Sequence, residues 1–413
     1  MTDEPIRQAV ILVGGKGTRL GAIARAVPKP MLPIAGDRPF VDYLLEMIER
    51  HGYRDIILLA GHLGDAVEAA YDRRQIGQAA VRVMREPVPL GTAGALTVAR
   101  EVLDTSFLLM NGDAFFDINL RALEQASRRF GATATLALRA VADAARYGRV
   151  IEEDGRLKAF LEKDLSRPGP GVINGGVYVL KREILDLIGD SPCSLEQQVF
   201  PALIERGEIT GREFKGYFLD IGLPETLEQG HLELPNVRKR PAVFLDRDAL
   251  VDMAASDSTG RGRFRWMAGA AEAMRTLNDH GRYVFVVGDA SGPVEAPGAV
   301  DDACRLNARI QEHLAPEGAH IDRFYAADRG PFSNVLAEAM YEWPIVRERS
   351  VLVTMTNGEV DAARRAGLAA HIFDGNDLAR LVHSLLAENA PSNCSGGEIA
   401  LTLTADTAKT GKL

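Results

Sequence analysis

Short apolar runs alternate with segments of helical periodicity along the first part of the chain. Residues 9–13 are apolar at every position, which is typical of a strand buried on both faces of a parallel sheet. Residues 39–52 place their apolar side chains at helical spacing and end in glycine, and residues 55–60 form the next apolar run. We therefore predict an α/β fold with a mostly parallel, doubly wound sheet.

The pattern loosens after Thr133, where short strands and tight turns predict an antiparallel extension of the sheet. Further strands are predicted at residues 81–85, 107–110, 134–139, 148–152, 177–180 and 216–222. Further helices are predicted at residues 64–71, 93–102 and 196–206. The sheet as a whole is therefore expected to be mixed.

A connecting segment precedes a second α/β unit. Residues 231–241 are polar and basic and contain two prolines, which is typical of a linker. A new apolar run begins at Ala242, and strands and helices alternate up to about residue 388. The last 25 residues are rich in Ser, Thr, Gly and Asn. We predict a first domain at 1–230, a linker at 231–241, a second domain at 242–388 and a flexible tail at 389–413.

Composition and charge narrow the function classes. The chain has 413 residues, too many for one ordinary core, and 46% of them are hydrophobic, as in soluble globular proteins. The formal net charge of −9 argues against nucleic-acid binding. No apolar run approaches the ~20 residues that cross a bilayer, and the acidic N-terminus is unlike a signal peptide.

Cysteine usage agrees with these expectations. Cys193, Cys304 and Cys394 are too far apart for a zinc site and suit a reducing compartment. We expect a cytoplasmic protein that binds neither nucleic acid nor membrane. The sequence leaves open whether the chain forms a homo-oligomer.

The first apolar run ends in the glycine cluster Gly14-Gly15-Lys16-Gly17-Thr18-Arg19-Leu20. Glycines let main-chain N–H groups approach an anion closely, and the guanidinium of Arg19 suits phosphate. The spacing matches neither the dinucleotide-binding fingerprint nor the Walker pattern. It indicates a phosphate loop of another type, with an ordinary strand-to-helix turn as the alternative.

Three later segments carry candidate chemistry. Lys29 is the one charge in Pro28-Lys29-Pro30-Met31-Leu32-Pro33, although a solvated lysine on a stiff connector has the same pattern. The small residues of Leu90-Gly91-Thr92-Ala93-Gly94-Ala95 would let a flat base lie against a helix entry, or serve packing alone. Asp113 and Asp220 end predicted strands, where they could hold one Mg²⁺ or act as helix caps.

In this order, the segments resemble the sugar nucleotidyltransferase family over about residues 7–230. The motifs are Gly-Gly-Lys-Gly-Thr-Arg-Leu, Pro-Lys-Pro-Met-Leu-Pro, Leu-Gly-Thr-Ala-Gly-Ala, Asn-Gly-Asp, Phe-Leu-Glu-Lys, Ile-Asn-Gly-Gly-Val-Tyr and Leu-Asp-Ile-Gly. The resemblance implies a Rossmann-like, GT-A-like mixed sheet. Residues 111–117 and 146–150 are most similar to those of heptose-1-phosphate and mannose-1-phosphate guanylyltransferases.

The resemblance implies a role for each motif. The triphosphate would be cradled by Gly14, Gly15, Gly17 and Thr18, and the base by Gly91, Thr92 and Gly94. Arg19 would hold the departing pyrophosphate and Lys29 the reacting phosphates. Mg²⁺ would be bound by Asp113 and Asp220, so that Arg19, Lys29 and Asp113 are the catalytic residues. The sugar phosphate would contact Glu162, Lys163, Asn174 and Gly175.

The implied reaction is attack by a sugar 1-phosphate oxygen on the α-phosphorus of a nucleoside triphosphate. Pyrophosphate leaves, and the product is a nucleotide sugar for surface polysaccharide synthesis. GTP and a heptose 1-phosphate are favoured, with mannose-, glucose- or other hexose 1-phosphates as alternatives. A non-catalytic sugar-nucleotide sensor is a further alternative, which the full set of motifs disfavours.

The second unit resembles the haloacid-dehalogenase-like phosphatases, in particular those acting on heptose bisphosphates. Its Phe244-Leu245-Asp246-Arg247-Asp248 is similar to their first motif, in which the two aspartates are nucleophile and acid/base. Gly288, Arg329 and Met355 stand where the relatives carry a hydroxyl, a lysine and a Mg²⁺-binding aspartate. We therefore expect an inactive domain with vestigial Asp246 and Asp248, and the alternative is a bifunctional enzyme that also dephosphorylates heptose 1,7-bisphosphate.

Overall fold

A computed structural model describes most of the chain. The described residues are 4–15, 17–21, 23, 25–161, 166, 168–189, 192–252, 264–288, 299–326 and 332–388. They form two large β-sheets flanked by helices, one in the N-terminal half and one in the C-terminal half. The predicted tail at 389–413 lies outside the described residues.

The N-terminal sheet has a parallel centre and an antiparallel extension, as predicted. Its strands are β1 (Gln8–Leu12), β4 (Asp55–Ala60), β5 (Gln75–Ile76), β6 (Ala79–Arg85), β7 (Ser106–Asn111), β9 (Ala134–Val141), β10 (Arg149–Glu153), β11 (Arg156–Leu161), β12 (Gly171–Lys181) and β13 (Ile209–Glu213). Their order is β10-β11-β13-β9-β12-β7-β1-β4-β6-β5. Strands β7, β1, β4 and β6 run parallel, and β12 is antiparallel to β7 and β9.

Helices and short ribbons complete the N-terminal half. The helices are α1 (Phe40–Arg50), α2 (Gly64–Tyr71), α3 (Gly91–Gly94), α4 (Leu120–Phe130), α5 (Phe200–Arg206) and α6 (Pro224–Val237). The ribbons are β2 (Pro33–Ala35) with β3 (Arg38–Pro39), and β8 (Ala114–Phe116) with β14 (Phe218–Asp220). Alternate residues of β1 enter separate apolar clusters, Ile11 on one face and Val10 on the other. This explains why the first apolar run shows no polar alternation.

Two predicted elements differ from the structure. Residues 93–102 do not form one α-helix, because α3 passes into a 3₁₀ turn at Ala95–Ala99, where the Thr97 hydroxyl donates to the Gly94 carbonyl oxygen at 2.7 Å. That side-chain bond competes with the regular helical pattern. The predicted strand at 216–222 is reduced to β14, which pairs with β8 outside the main sheet.

The C-terminal sheet is fully parallel. Its strands β15 (Ala242–Asp246), β18 (Tyr283–Gly288), β19 (Arg323–Ala326), β20 (Val351–Thr354) and β21 (Ala369–Ile372) take the order β19-β18-β15-β20-β21, and β16 (Val251–Asp252) pairs with β17 (Arg265–Trp266). Its helices are α7 (Arg247–Leu250), α8 (Ala270–Asp279), α9 (Ala299–Leu314), α10 (Phe332–Glu342), α11 (Asn357–Arg365) and α12 (Leu378–Glu388). Apolar clusters cover both faces, which makes this half a second doubly wound α/β layer structure.

The predicted linker is helical over most of its length. Helix α6 continues to Val237 with Pro235 inside it, and Leu234 is buried. Only residues 238–241 lead from this helix to β15. The connection between the two sheets is therefore short and ordered.

Buried charged and polar groups join the two halves. Arg50 lies between Asp322 of the C-terminal half, at 2.9 Å, and Asp117 of its own half, at 3.4 Å. Arg240 donates to the other oxygen of Asp117. Asn119 caps α4 by accepting two main-chain N–H groups, and its amide also donates to Asp279 at 2.8 Å. The contact is therefore specific and largely polar.

Two buried histidines stack across this contact. The rings of His51 and His320 are 3.9 Å apart. Burial lowers the pKa of both imidazoles, and it outweighs the attraction of Asp322 for a proton on His320. Both histidines are therefore neutral in the folded protein near neutral pH.

We predict that acidification weakens this contact through the histidines. A histidine with a lowered pKa binds its proton less readily in the folded chain than in the unfolded chain. Below about pH 6.5 the unfolded chain therefore takes up more protons. The free energy of unfolding then falls by up to about 1.4 kcal/mol per pH unit for each histidine. His320→Gln should reduce the loss of thermal midpoint between pH 7 and pH 5. His231→Gln, at an exposed position, is the control. Equal pH dependence in wild type and His320→Gln would contradict this account.

Candidate active site

A cavity of about 700 Å³ opens where the four parallel central strands end. Gly14 and Gly15 come after β1, His62 after β4 and Glu86 after β6. Residues 111–113 lie at the end of β7. Loops at this edge carry the ligand sites of open α/β sheets. The cavity is lined by glycine, proline and polar groups, and it is large enough for a nucleotide.

A second cavity, of about 450 Å³, lies beside the first. It is lined by Asn174 and Gly175 from β12, by Tyr147, and by Asp220 from β14. Asn111 and Asp113 line both cavities. The two cavities therefore meet at the end of β7.

A cluster of opposite charges occupies this junction. The Lys29 ammonium lies 2.6 Å from an Asp113 oxygen and 3.7 Å from an Asp220 oxygen. Lys29 stands on a one-turn 3₁₀ helix after Pro28 and is only 5% exposed, so the alternative of a solvated lysine is wrong. Burial, and then the nearby Asp113 charge, raise the pKa of Asp220.

The β8–β14 pair fixes the two carboxylates against each other. Asp220 stands opposite Ala114 in this pair, and the Ile221 N–H donates to the Asp113 carbonyl oxygen at 3.0 Å. Asp113 and Asp220 are more than a hundred residues apart in the chain. Only this short ribbon, outside the main sheet, brings them together.

Gly222 leaves the space into which three charged groups converge. A Cβ atom there would lie 2.7 Å from an Asp220 oxygen, 3.3 Å from an Arg19 nitrogen and 3.4 Å from the Lys29 nitrogen. The structure thus brings together the four predicted residues Arg19, Lys29, Asp113 and Asp220. Together they can neutralise an anion and supply carboxylate oxygens beside it.

The glycine loop contributes to the cavity wall in part. Gly14 and Gly15 line the cavity, whereas Gly17 is not among its described lining residues. Gly17 has a φ of +59°, a conformation that favours glycine. The loop passes on through a 3₁₀ turn at Thr18–Leu20, which carries Arg19 toward the charged cluster.

Only part of the segment predicted to contact the base lines the larger cavity. Gly91 and Thr92 line the larger cavity, whereas Gly94 is not among the described residues that do so and lies against residue 193. Gly91 has a φ of +80°, and a Cβ there would lie 2.5 Å from the Cys193 carbonyl oxygen. Glycine at 91 is therefore required by conformation and by space.

The predicted sugar-phosphate residues are seen in part. Asn174 and Gly175 line the smaller cavity, and the Asn174 amide donates to the Tyr178 hydroxyl at 2.7 Å. Glu162 and Lys163 lie outside the described residues. The two residues that are described stand on the side of the charged cluster away from the glycine loop.

Sequence reasoning missed Glu86, which lines the larger cavity. One of its oxygens accepts the Leu90 N–H at 3.0 Å, and burial raises its pKa. The signal was present, because Glu86 directly follows a strand of the parallel sheet, as Asp113 follows the end of another. Asn111, shared by both cavities, was noted only as part of its motif.

The donor set at the junction fits Mg²⁺. Asp113 and Asp220 offer carboxylate oxygens, and the side-chain oxygen of Asn111 is buried without a hydrogen-bond partner in the described part of the chain. Mg²⁺ prefers oxygen ligands and takes one or two carboxylates together with substrate phosphates. Among the described residues, no group of three or more His, Cys, Asp and Glu side chains could hold a metal ion. A Mg²⁺ ion here would therefore also need ligands from substrate phosphates.

The predicted vestigial pair lies at the end of β15. Asp246 accepts the Asp248 N–H at 3.1 Å, and burial together with the nearby Glu359 raises the pKa of Asp246 to about 6. A Cβ on Gly288 would lie 2.9 Å from the side chain of Arg247. Arg329 lies outside the described residues.

The family model described as nucleotidyl transferase matches residues 8–236, and the chain belongs to this family. A D-glycero-α-D-manno-heptose 1-phosphate guanylyltransferase of Aneurinibacillus thermoaerophilus is 34% identical over 229 residues, which are 55% of this chain and 98% of that protein. A mannose-1-phosphate guanylyltransferase catalytic subunit beta of Drosophila pseudoobscura pseudoobscura is 32% identical over 56% of this chain and 64% of that protein.

Among solved structures, HddC from Yersinia pseudotuberculosis is similar at 30% identity with a TM-score of 0.50, over 55% of this chain and 100% of that one. A second structure of HddC is in complex with GMP-PN. These similarities agree with the α/β nucleotidyltransferase fold of the N-terminal half. Within the part of the chain that the structure describes, no helix is long and apolar enough to cross a membrane.

We predict that Gly112 is needed for the position of Asp113. A Cβ at Gly112 would lie 2.4 Å from the main-chain carbonyl oxygen of Leu12, so the backbone must shift. Gly112→Ala should lower the free energy of unfolding by about 1–3 kcal/mol. Gly15→Ala is the matched control, because nothing lies within 4 Å of a Cβ there. Chemical unfolding of both variants tests this, and equal stabilities would argue against it.

Proposed function

We propose that the protein transfers GMP from GTP to a heptose 1-phosphate and releases pyrophosphate. The observation that carries this proposal is the meeting of two cavities at one charged cluster. The larger cavity suits the nucleotide and the smaller one the sugar phosphate. The cluster of Lys29, Asp113 and Asp220 then lies where the two phosphate groups meet.

The reaction needs positioning and charge neutralisation. A sugar 1-phosphate oxygen attacks the α-phosphorus of GTP, and the bond from that phosphorus to the pyrophosphate oxygen breaks. The attacking oxygen is already anionic, so no general base is required. Lys29 and Arg19 offset the negative charge of the phosphates, which a preorganised site does without reorganisation. A Mg²⁺ bound by Asp113 and Asp220 would add charge neutralisation on the triphosphate.

Glu86 supports guanine as the base. Guanine presents two adjacent donors, its N1–H and its N2 amino group, and a carboxylate can accept both in parallel. Glu86 lines the larger cavity, and its bond to the Leu90 N–H holds the carboxylate in place. Adenine has no such donor pair. The names of the heptose and mannose relatives, both guanylyltransferases, support the same choice.

The choice of sugar rests on the relatives. The heptose 1-phosphate guanylyltransferase matches over 98% of its own length, which supports a heptose 1-phosphate. Mannose 1-phosphate is the second candidate, supported by the mannose-1-phosphate guanylyltransferases. Asn174 and Gly175 at the smaller cavity leave both open.

For the C-terminal half, we propose a haloacid-dehalogenase-like domain without phosphatase activity. Gly288 offers no hydroxyl, Arg247 lies against it, and Met355 is a poor Mg²⁺ ligand. The doubly wound parallel sheet supports the likeness of fold.

We predict that wild type prefers GTP and that Glu86→Gln loses this preference. Pyrophosphate release is measured for four nucleoside triphosphates against heptose, mannose and glucose 1-phosphates. In this variant a neutral amide replaces the carboxylate, so it cannot accept hydrogen bonds from both guanine donors as the carboxylate does. The GTP-to-ATP ratio of kcat/KM should therefore fall by about tenfold or more. Glu101→Gln, at an exposed position, is the control.

Two results would contradict the proposal. Absence of pyrophosphate release with every pair would favour a non-catalytic sugar-nucleotide sensor. The change Asp113→Asn takes away one of the two carboxylates beside Lys29. Near-normal turnover by this variant would therefore show that Asp113 has no role in the reaction. A loss of about 100-fold or more is expected.

We predict no Mg²⁺-dependent release of inorganic phosphate from heptose 1,7-bisphosphate. Release by wild type and by Asp246→Asn should be equal and at background, since Gly288 and Met355 stand where a phospho-aspartate step needs a hydroxyl and a Mg²⁺ ligand. A phosphate-release assay on the full chain measures this. Steady turnover that Asp246→Asn abolishes would instead establish a bifunctional enzyme.

A further inference from the structure

A third cavity, of about 680 Å³, lies between the two halves of the chain and away from the candidate active site. Asp117 is the one carboxylate among its described lining residues. The basic groups that line it are Lys239, Arg240, Arg282, Arg349, His280 and His383. We call this cavity the basic cleft. It is strongly cationic in a chain whose formal net charge is −9.

Three cations of the basic cleft have no carboxylate partner in the part of the chain that the structure describes. Arg240 pairs with Asp117, but no Asp or Glu of the described residues lies within ion-pair distance of Lys239, Arg282 or Arg349. Burial, and then the Arg349 charge, lower the pKa of Arg282. Guanidinium groups held close together repel each other, and a bound anion would relieve this repulsion.

Arg240 adds an unused donor. Its residue is 9% exposed, and its Nε atom is buried with no hydrogen-bond partner in the described part of the chain. A buried donor without a partner costs free energy unless a ligand or water satisfies it. Arg282 is 8% exposed and donates to the Arg349 carbonyl oxygen at 3.0 Å, which anchors its side chain. Arg282 therefore offers an anchored guanidinium group to an anion, and Arg240 adds its Nε–H donor.

Two histidines also line the cleft. The Nδ1 atoms of His280 and His383 lie 2.8 and 2.7 Å from carbonyl oxygens of their own helices. A carbonyl oxygen only accepts, so Nδ1 donates, and this bond fixes the orientation of each ring.

We propose that the basic cleft binds a phosphate monoester. Arginine forks match the oxygens of phosphate in pairs, and a lysine adds a compact charge. The cleft is large enough for a phosphorylated sugar. It borders Asp117, which directly follows β8 and lies four residues after Asp113. The proposal does not depend on the reaction proposed for the active site.

Calorimetric titration of the full chain tests this, with inorganic phosphate and with a hexose 6-phosphate as probes. Wild type should bind both saturably. The double variant Lys239→Glu/Arg349→Glu reverses two exposed charges, and its Kd should rise by about tenfold or more for each probe. Arg365→Glu reverses an exposed arginine elsewhere in the same half and should leave the Kd unchanged.

Binding at the active site gives a different result. Arg19→Ala should weaken an anion held by the charged cluster and leave binding in the basic cleft intact. The proposal is overturned if neither probe binds saturably, if the double variant binds as wild type does, or if Arg19→Ala abolishes the binding.

Discussion

One buried ammonium group governs the candidate active site. Lys29 is held beneath the surface between two carboxylates from distant parts of the chain. Burying a cation without its partner costs several kcal/mol, and two carboxylates this close repel each other without a cation between them. Each member of the cluster therefore requires the others. The prolines that flank Lys29 and the β8–β14 ribbon serve to hold this balance.

The same balance of charge distinguishes three regions of the molecule. At the candidate active site, the Lys29 ammonium lies between the carboxylates of Asp113 and Asp220. At the contact between the halves, Arg50 and Asp117 are each shared by two partners, so the charges cancel. In the basic cleft, Lys239, Arg282 and Arg349 have no carboxylate partner among the residues that the structure describes. A protein with an overall acidic charge thus gathers positive charge at the boundary between its two halves.

Local sequence patterns predicted the elements whose signals are local. The bounds of β4 and α2 agree with the predicted 55–60 and 64–71, because apolar spacing and turn residues mark both ends. The parallel centre and the antiparallel extension followed from the same patterns. The motifs indicated that Arg19, Lys29, Asp113 and Asp220 belong to one site. Their spatial arrangement depends on the three-residue strands of the β8–β14 ribbon, which no hydrophobic periodicity predicts.

Long-range contacts explain what the sequence did not show. The 3₁₀ turn after α3 depends on a hydroxyl bond and on the neighbouring Cys193 carbonyl, about a hundred residues away. The burial of His320 depends on His51, in the other half of the chain. Glu86 is a different case, because it directly follows a predicted strand. Its position alone could have marked it as a candidate site residue. A polar residue that ends a parallel strand is therefore a site candidate whether or not a known motif contains it.

The sharing of Asp117 has a consequence for how the chain is made. Every strand of the N-terminal sheet precedes Phe214, so this sheet can close while the ribosome is still adding the second half. Arg50 and Asp117 both belong to this first half and can pair with each other before the rest is made. Asp322 and Arg240, the second partners of Arg50 and Asp117, are added later. The shared ion pairs are therefore complete only after the second half has emerged and folded.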